Sequence, residues 1–435
     1  MRGESARDLR AIVLWTDWSR PQGLREVWRA GAEVESTGGM DTPAKTAEDI
    51  IGIVPHTLGY TPAHSLVAIL VVTDGHGAQS CATTLRVDFD LERAAATAAE
   101  GGEWLCELVC RACRPSGVFL VLYDDEYAPD EEYVFVGPDD LVTRGDAEYS
   151  EMRRSLIRAA TDEMARALGR AGIDTLSAWW VSDGRFGRID DRDDPGTDLA
   201  AAQSSACATE LVSTGSAPAE GPSDLIVLPA DAAKRAAFFT DEPSEPTTMT
   251  QAFDILGEVY PGLLAQRGRT EAFDREELTA LMTPRVVRAL DRILAEKWSR
   301  DALEMILGFD HPDFLPRRVC RAQSGELVQW ARRAGKSRAA ADQMIGLSDR
   351  APTPYDVLLA IAFLRSYVPW SSPRTLSTAY AVIAWFEWSL GGSTMAEQYG
   401  LAALAVDERN SLAELLVSAV GHGYLPRWLM TRAPF

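Results

Sequence analysis

The chain has 435 residues, of which 46% are hydrophobic and 25% charged, and its 64 acidic and 43 basic residues give a formal net charge of −21. This composition is typical of a globular protein of two or three domains, and the negative charge argues against nucleic acid as a partner because phosphate backbones are repelled. No apolar run reaches the roughly 20 residues of a membrane span, no secretory signal opens the chain, and six cysteines are too few for a disulfide framework, so we expect a cytoplasmic protein with reduced thiols and no membrane partner.

Residues 1–39 differ from the rest of the chain. They contain three tryptophans and many arginines without a sustained hydrophobic period, whereas "MDTPAKTAEDI" from Met40 reads like an ordinary protein start. We interpret 1–39 as an extension or disordered arm that precedes the native start. An ordered N-terminal arm is the alternative, and mass spectrometry of the native N-terminus would distinguish the two.

Strand and helix patterns alternate over residues 44–235. A short helix is expected after Thr46, which is a typical N-cap residue. Apolar or alternating runs predict strands at 65–72, 82–89, 117–125 and 175–187, the last of them with a turn. Helices are predicted at 91–113 and 149–171. This alternation predicts an α/β domain with a mixed sheet.

An acidic, proline-rich stretch, "TDEPSEPTTMT", follows this domain, and we place a linker at residues 236–250. Everything in 251–435 has helical periodicity, with Thr-Pro pairs at Thr283 and Thr353 that match an N-cap followed by proline in the first turn. The second domain is therefore predicted to be all-α.

The stretch from Thr375 to Val420 predicts helix, glycine turn, helix, short loop and helix, which resembles a tetratricopeptide hairpin. On that pattern the hairpin contacts come from small or apolar residues on both helices, namely Tyr380, Ile383, Ala384, Ala396, Gly400 and Ala403. The "DERN" loop lacks the proline usual in the repeat, and a stable solenoid needs about three repeats. We therefore expect a helical bundle that contains one such hairpin.

Two stretches together resemble one known family. "IIGIVPHTLGYTPAHSLVAIL" followed by "LRVDFD" has a helix with a proline, a Leu-Gly-aromatic turn, Pro-x-x-Ser-Leu-Val and then Arg-x-Asp. Residues 376–428 have a helix rich in Ala and Trp, a glycine turn, an Ala-rich helix and a final Pro-x-Trp at Pro426 and Trp428. Over most of 45–430 the chain resembles the actinobacterial domain-of-unknown-function family 4192.

The resemblance implies an architecture and an actinobacterial origin, and it implies no reaction because the family has no established activity. Members usually carry a tryptophan, several cysteines and Cys-Pro-x-x-Gly near the end of the first domain. This sequence has Cys207 alone in that region, which argues against a metal or thiol role there.

The spacing C-x3-C-x2-C at Cys106, Cys110 and Cys113 is the one that radical S-adenosylmethionine enzymes use for an iron–sulfur cluster. The same residues fall at i, i+4 and i+7 of a predicted helix, together with Leu105 and Val109. We interpret the cysteines as small apolar residues on the inner face of that helix. A brown protein with iron–sulfur absorbance would contradict this interpretation.

Two candidate ligand-binding groups lie in the first half of the chain. His56 and Ser65 flank a turn, with Ser65 just before a buried strand, although the simpler interpretation is a structural turn that connects helix to strand. Arg86 and Asp88 share one face of the next strand and form either an anion site or a structural ion pair.

Asp124 and Asp125 end the third predicted strand, where paired carboxylates suit Mg²⁺, although strand-end aspartates also occur in solvated loops. The acidic loop "DDRDDPGTD" does not fit an EF-hand and reads as solvated. No P-loop, dinucleotide fingerprint, metalloprotease or zinc-ribbon motif occurs in the sequence. We therefore predict no cofactor and no metal.

Two functions remain open at this point. The first is a non-enzymatic interaction or ligand-sensing protein whose helical domain binds a protein partner. The second is an enzyme that acts on a phosphate-bearing or metal-bound small molecule at the strand ends of the α/β domain. Convergence of Ser65, Arg86, Asp88, Asp124 and Asp125 around an open pocket would favour the enzyme, and pairing of these residues into structural contacts would disfavour it.

Overall fold

The structure is a computed structural model that describes residues 44–73, 75, 77, 79–127, 149–240, 247–266, 276–308, 311 and 314–429, with the backbone alone of 11–14, 29–30, 142–148, 275 and 430. Within these residues an N-terminal unit ends at Pro222 and a helical unit begins at Ser223.

In the described part of the N-terminal unit, eight strands form a mixed sheet. The strands are β1 (Ala11–Leu14), β2 (Arg29–Ala30), β3 (Ser65–Thr73), β4 (Gln79–Asp88), β5 (Gly117–Tyr123), β6 (Asp174–Ser182), β7 (Arg185–Arg188) and β8 (Thr197–Asp198). Their order is β1-β4-β3-β5-β6-β7-β8, with β2 also beside β4. β5 and β6 are parallel and the other pairs are antiparallel. The predicted α/β fold with a mixed sheet is confirmed.

β3 lies between β4 and β5 at the centre of the sheet. Its first seven residues are buried, which explains why its sequence is a continuous aliphatic run rather than an alternating one. Antiparallel pairing on both sides brings residues from three strands into register, so the end of β3 at Ser65 lies beside the ends of β4 and β5.

Helices of the N-terminal unit are α1 (Ala47–Leu58), α2 (Leu91–Glu100), α3 (Glu103–Ala112), α4 (Val142–Arg170), α5 (Leu199–Gln203) and α6 (Ala206–Ser213). Thr46 caps α1 in a capping box with Asp49, as the sequence indicated. The prediction of one helix over 91–113 is wrong. The chain breaks at Gly101, whose φ of 105° lies outside the helical region, and a second helix begins after Gly102.

The helical unit follows the predicted all-α pattern. Its helices are α7 (Ala232–Phe238), α8 (Met249–Ala265), α9 (Arg275–Ala280), α10 (Pro284–Leu294), α11 (Lys297–Gly308), α12 (Pro316–Val319), α13 (Glu326–Ala334), α14 (Arg338–Met344), α15 (Pro354–Tyr367), α16 (Leu376–Ser389), α17 (Ser393–Val406), α18 (Ser411–Gly421) and α19 (Arg427–Met430). Thr283 caps α10 by accepting a hydrogen bond from the N–H of Val286, with Pro284 as the first helical residue. Its core is rich in fully buried aromatic side chains, including Phe363, Trp385 and Phe386.

α16 and α17 form the predicted helical hairpin. The Ser377 hydroxyl donates to the carbonyl of Ala403, which ties the two helices together. Asn410 in the "DERN" loop caps α18 through its side-chain oxygen and donates from Nδ2 to Ser377, so this loop ends the hairpin without a proline. The likeness to a tetratricopeptide repeat stays a prediction.

The segment 223–240, which we name the strap, is bonded to the helical unit. The carbonyl of Leu225 accepts from Arg365 and that of Val227 accepts from Tyr380, while the N–H of Ala230 donates to Pro369. The predicted α/β domain extends to residue 235, and the domain limits with a linker at 236–250 stay a prediction.

Most of the predicted extension 1–39 lies outside the described residues. The exceptions are the backbones of β1 and β2, which pair with β4. The native start at Met40 stays a prediction.

Candidate functional site

Three polar residues meet at one end of the sheet. Ser65 opens β3 opposite Asp88 on β4 and opposite Tyr123 on β5. Residues that are paired across antiparallel strands point to the same face of the sheet, so these three side chains share a face. Arg86 joins them because it lies two residues before Asp88 on the same strand.

Ser65 and Arg86 form a hydrogen-bonded cluster with Asp88. Arg86 Nε donates to Ser65 Oγ at 2.7 Å, and Ser65 Oγ donates to the carbonyl of Ala63 at 2.6 Å. Arg86 Nη1 pairs with Asp88 Oδ1. Ser65 is fully buried, whereas the Arg86 side chain keeps 12% and the Asp88 side chain 39% of its exposure. The charge of Arg86 is therefore matched within the cluster, and the Ser65 hydroxyl hydrogen is already donated.

Asp124 belongs to a different contact. Its carboxylate accepts two hydrogen bonds of 2.8 Å from Nε and Nη2 of Arg153 on α4, and both side chains are almost fully buried. Arg153 also bonds to Glu126 and to the Tyr149 hydroxyl. A bidentate arginine occupies the carboxylate oxygens that a Mg²⁺ ion would need, so this pair attaches α4 to the end of β5.

Asp125 and His56 lie apart from both contacts. The Asp125 side chain is exposed, and its carbonyl accepts from Ser182 at the end of β6. His56 lies in the last turn of α1, where its Nδ1 is 2.9 Å from Ser216 Oγ and where burial lowers the pKa of the ring. The predicted set of residues thus divides into separate contacts, and ligand binding by any of them stays a prediction.

Tyr123 was missed by the sequence reasoning. It is 5% exposed, its hydroxyl has no hydrogen-bond partner among the described residues, and burial raises the pKa of the phenol well above its ordinary value. A buried hydroxyl without a partner is uncommon because it costs roughly 1–3 kcal/mol. The only signal in the sequence was a tyrosine that ends an otherwise aliphatic strand.

Cys207 fulfils a structural role between α6 and α1. It is fully buried and bonded to Asp49, and burial together with that carboxylate raises the pKa of its thiol to about 12. Burial also acts to raise the pKa of Asp49, but hydrogen bonds from the backbone of Lys45 and Thr46 and from Cys207 lower it on balance. The cysteine therefore helps to fix the start of α1.

The acidic loop is internally bonded. Asp190 pairs with Arg188, and Asp194 accepts hydrogen bonds from the N–H groups of Arg188 and Gly196. In the part of the chain that the structure describes, no group of three or more His, Cys, Asp or Glu side chains is arranged to hold a metal ion.

The interpretation of Cys106, Cys110 and Cys113 as core residues is wrong. α3 forms as predicted, but its buried side chains are those of Leu105, Leu108 and Val109. Cys110 is exposed and the other two cysteines are half-buried. The cysteine stripe therefore lies beside the core-facing stripe of the helix and not on it.

Comparison with known proteins supplies the family. The family model described as "Domain of unknown function (DUF4192)" matches residues 48–427. The chain belongs to this family. No curated protein and no solved structure matches the chain. None of the described helices of this DUF4192 protein is both long enough and apolar enough to cross a membrane.

Proposed function

We propose that this DUF4192 protein is a cytoplasmic, non-enzymatic interaction or ligand-sensing protein of actinobacterial origin, and that its helical unit binds a partner protein. The pairing of its polar residues supports the first part. Arg86 is neutralised by Asp88, and Asp124 by Arg153, so neither acid is left to act on a substrate.

Three exposed apolar side chains of the helical unit support the second part of the proposal. Ile345, Leu347 and Tyr424, which we name the apolar patch, are 59%, 58% and 66% exposed. One backbone hydrogen bond, of 2.7 Å, joins the two stretches of chain that carry them: the N–H of Arg427 donates to the carbonyl of Gly346. Ile345 and Leu347 adjoin Gly346 in the chain, and Tyr424 lies three residues before Arg427. Clusters of large exposed apolar side chains commonly mark protein interfaces.

The edge of the apolar patch is polar. Arg427 Nε bonds to Asp349 Oδ1 at 2.7 Å, and both side chains are more than half exposed. An apolar centre beside charged residues is the usual arrangement of a protein interface, since the centre supplies binding energy and the rim supplies orientation. The patch thus fits a protein partner that has a complementary apolar surface.

Affinity capture from cells that produce the protein tests this proposal. A double variant, Ile345→Asp with Leu347→Asp, should lose a partner that the wild type captures stoichiometrically. Val212→Asp is the matched control, because Val212 is 57% exposed in the N-terminal unit and its variant should keep the partner. Circular dichroism checks that the variants fold. Capture of the same partner by the double variant would contradict the proposal.

The alternative function, an enzyme or sensor site at the strand ends, rests on the Tyr123 hydroxyl. This buried phenol lies beside Ser65 on the same face and has an unused hydrogen to donate to an acceptor such as a phosphate oxygen. A panel of phosphate-bearing metabolites should then raise the melting temperature of the wild type and have less effect on Tyr123→Phe. If no compound stabilises the wild type, this alternative fails.

A further inference from the structure

The cysteine stripe of α3 has no role in the function proposed above. Leu105, Leu108 and Val109 supply the buried face of the helix, while Cys110 is exposed and Cys106 is half-buried. Cys106 and Cys110 therefore form a pair of thiols on consecutive turns at the edge of the buried face.

The two sulfur atoms are close together. Cys106 Sγ lies 4.0 Å from Cys110 Sγ, because residues four apart lie above one another on an α-helix. Two Zn–S bonds of about 2.3 Å at the tetrahedral angle put their sulfurs about 3.8 Å apart. The observed separation is therefore within a few tenths of an ångström of the distance at which one ion contacts both sulfurs.

We propose that Cys106 and Cys110 form a two-thiolate site for a thiophilic divalent cation such as Zn²⁺. The pair supplies two ligands and solvent supplies the others, since the described residues provide no third His, Cys, Asp or Glu that is already in place. Binding replaces two S–H bonds with two metal–sulfur bonds and releases two protons. No oxidant or reductant takes part.

The surroundings of the pair make thiolates costly in the absence of a cation. Burial raises the pKa of the Cys106 thiol, and the neighbouring Cys110 and the carboxylate of Glu103 raise it further, while Arg170 acts in the opposite direction. A divalent ion between the sulfurs removes the repulsion between two thiolates. Arg170 and Glu103 are bonded to each other, so their charges largely offset one another at the pair.

Among the described residues no third cysteine is arranged with the pair to hold a metal ion. α3 ends at Ala112, and Cys113 follows in extended backbone with φ of −162°, so it leaves the stripe. Burial, and then Cys110, raise the pKa of Cys113 to about 11. Cys320 is exposed in the helical unit and provides a matched control for a single accessible thiol.

Titration of the reduced full-length protein with Cd²⁺ tests the proposal, because thiolate-to-cadmium charge transfer absorbs in the ultraviolet. The wild type and Cys320→Ser should give a band that saturates at one ion per chain and that Zn²⁺ abolishes by competition. Cys106→Ser and Cys110→Ser should each lose the saturable band.

Circular dichroism shows whether each variant is folded, and Cys110→Ser is the safer of the two because its side chain is exposed. Absence of a saturable band in the wild type would overturn the proposal. Retention of the full band in a folded Cys110→Ser variant would overturn it as well. Since the titration does not involve the apolar patch, its failure is distinct from a failure of the proposed partner binding.

Discussion

Two buried carboxyl groups of this protein are accommodated in opposite ways. Asp124 receives two hydrogen bonds from Arg153, which compensate for its loss of solvent. Glu304 on α11 is fully buried, and neither of its carboxyl oxygens has a hydrogen-bond partner among the described residues. Arg300 Nε is 3.9 Å away and is bonded to Asp301, so Glu304 is expected to be neutral in the folded protein.

This neutral glutamic acid makes stability depend on pH. Burial holds the pKa of Glu304 well above its ordinary value, with Arg300 acting to lower it and Asp301 to raise it. An unfolded chain releases the proton near pH 4.3, so above that pH the folded state binds more protons than the unfolded state. The free energy of unfolding therefore falls as pH rises, by up to about 1.4 kcal/mol per pH unit until the folded pKa is reached.

We expect Glu304→Gln to remove this contribution, so that the variant loses less stability than the wild type between pH 5 and pH 8. Urea unfolding at a series of pH values measures the difference. Glu414→Gln, at an exposed glutamate of α18, is the matched control. Equal pH dependence of Glu304→Gln and the wild type would show that Glu304 is ionised in the fold.

At the scale of helices and strands, glycine determines how closely two helices approach. A Cβ atom at Gly102 would lie 2.3 Å from the Cα of Met164, so the start of α3 contacts the backbone of α4 directly. Gly400 has the same role in the helical unit, where a Cβ would lie 2.7 Å from Cγ2 of Val417 on α18. The hairpin pattern predicts Gly400 in the contact between α16 and α17, whereas in the structure a Cβ at Gly400 would point towards α18.

Gly102→Ala should therefore destabilise the protein by about 1–3 kcal/mol, because a methyl group at this position forces α3 away from α4. Gly169→Ala on α4 is the control. No atom lies within 4 Å of a Cβ at Gly169, and alanine is the better helix former, so this variant should gain about 0.5–1 kcal/mol. Thermal or urea unfolding measures both changes. A neutral Gly102→Ala would show that the two helices separate without cost.

At the scale of the whole molecule, the strap follows the N-terminal unit in the sequence. It is held by hydrogen bonds to the helical unit. Its carbonyls accept hydrogen bonds from side chains of three helices, and its Phe238 stacks on Trp370 with ring centroids 4.2 Å apart. The donors are Arg365 on α15, Tyr380 on α16 and Tyr399 on α17. The strap should therefore remain bound to the helical unit even when the chain is cut after it.

A specific protease site inserted in the acidic linker, between residues 241 and 247, tests this expectation. After cleavage the two fragments should elute together in size-exclusion chromatography, because the strap stays in place. Combining the insertion with Arg365→Ala, Tyr380→Phe and Tyr399→Phe removes the side-chain donors and should weaken the association. Fragments that separate immediately without these substitutions would contradict the prediction.

Local patterns in the sequence were enough to predict the class of fold. The aliphatic run of β3, the alternation in β4, the cap at Thr46 and the Thr-Pro start of α10 all depend on residues within one turn or one strand of each other. Such neighbours interact in any fold, so the mixed sheet followed by helices could be inferred without coordinates. The break at Gly101 was missed although two consecutive glycines, Gly101 and Gly102, mark it in the sequence.

The candidate sites depended on the tertiary structure. Arg153 lies 29 residues from Asp124, and no local pattern indicates that a helix brings the guanidinium to that strand end. The cysteine stripe and the leucine stripe of α3 are adjacent on the helix, and only the packing of the rest of the unit decides which of them is buried. Sequence alone therefore determined the elements and the family of this protein, because these follow from local chemistry. The partners of its charged and thiol groups were decided by the tertiary fold, because those partners come from distant parts of the chain.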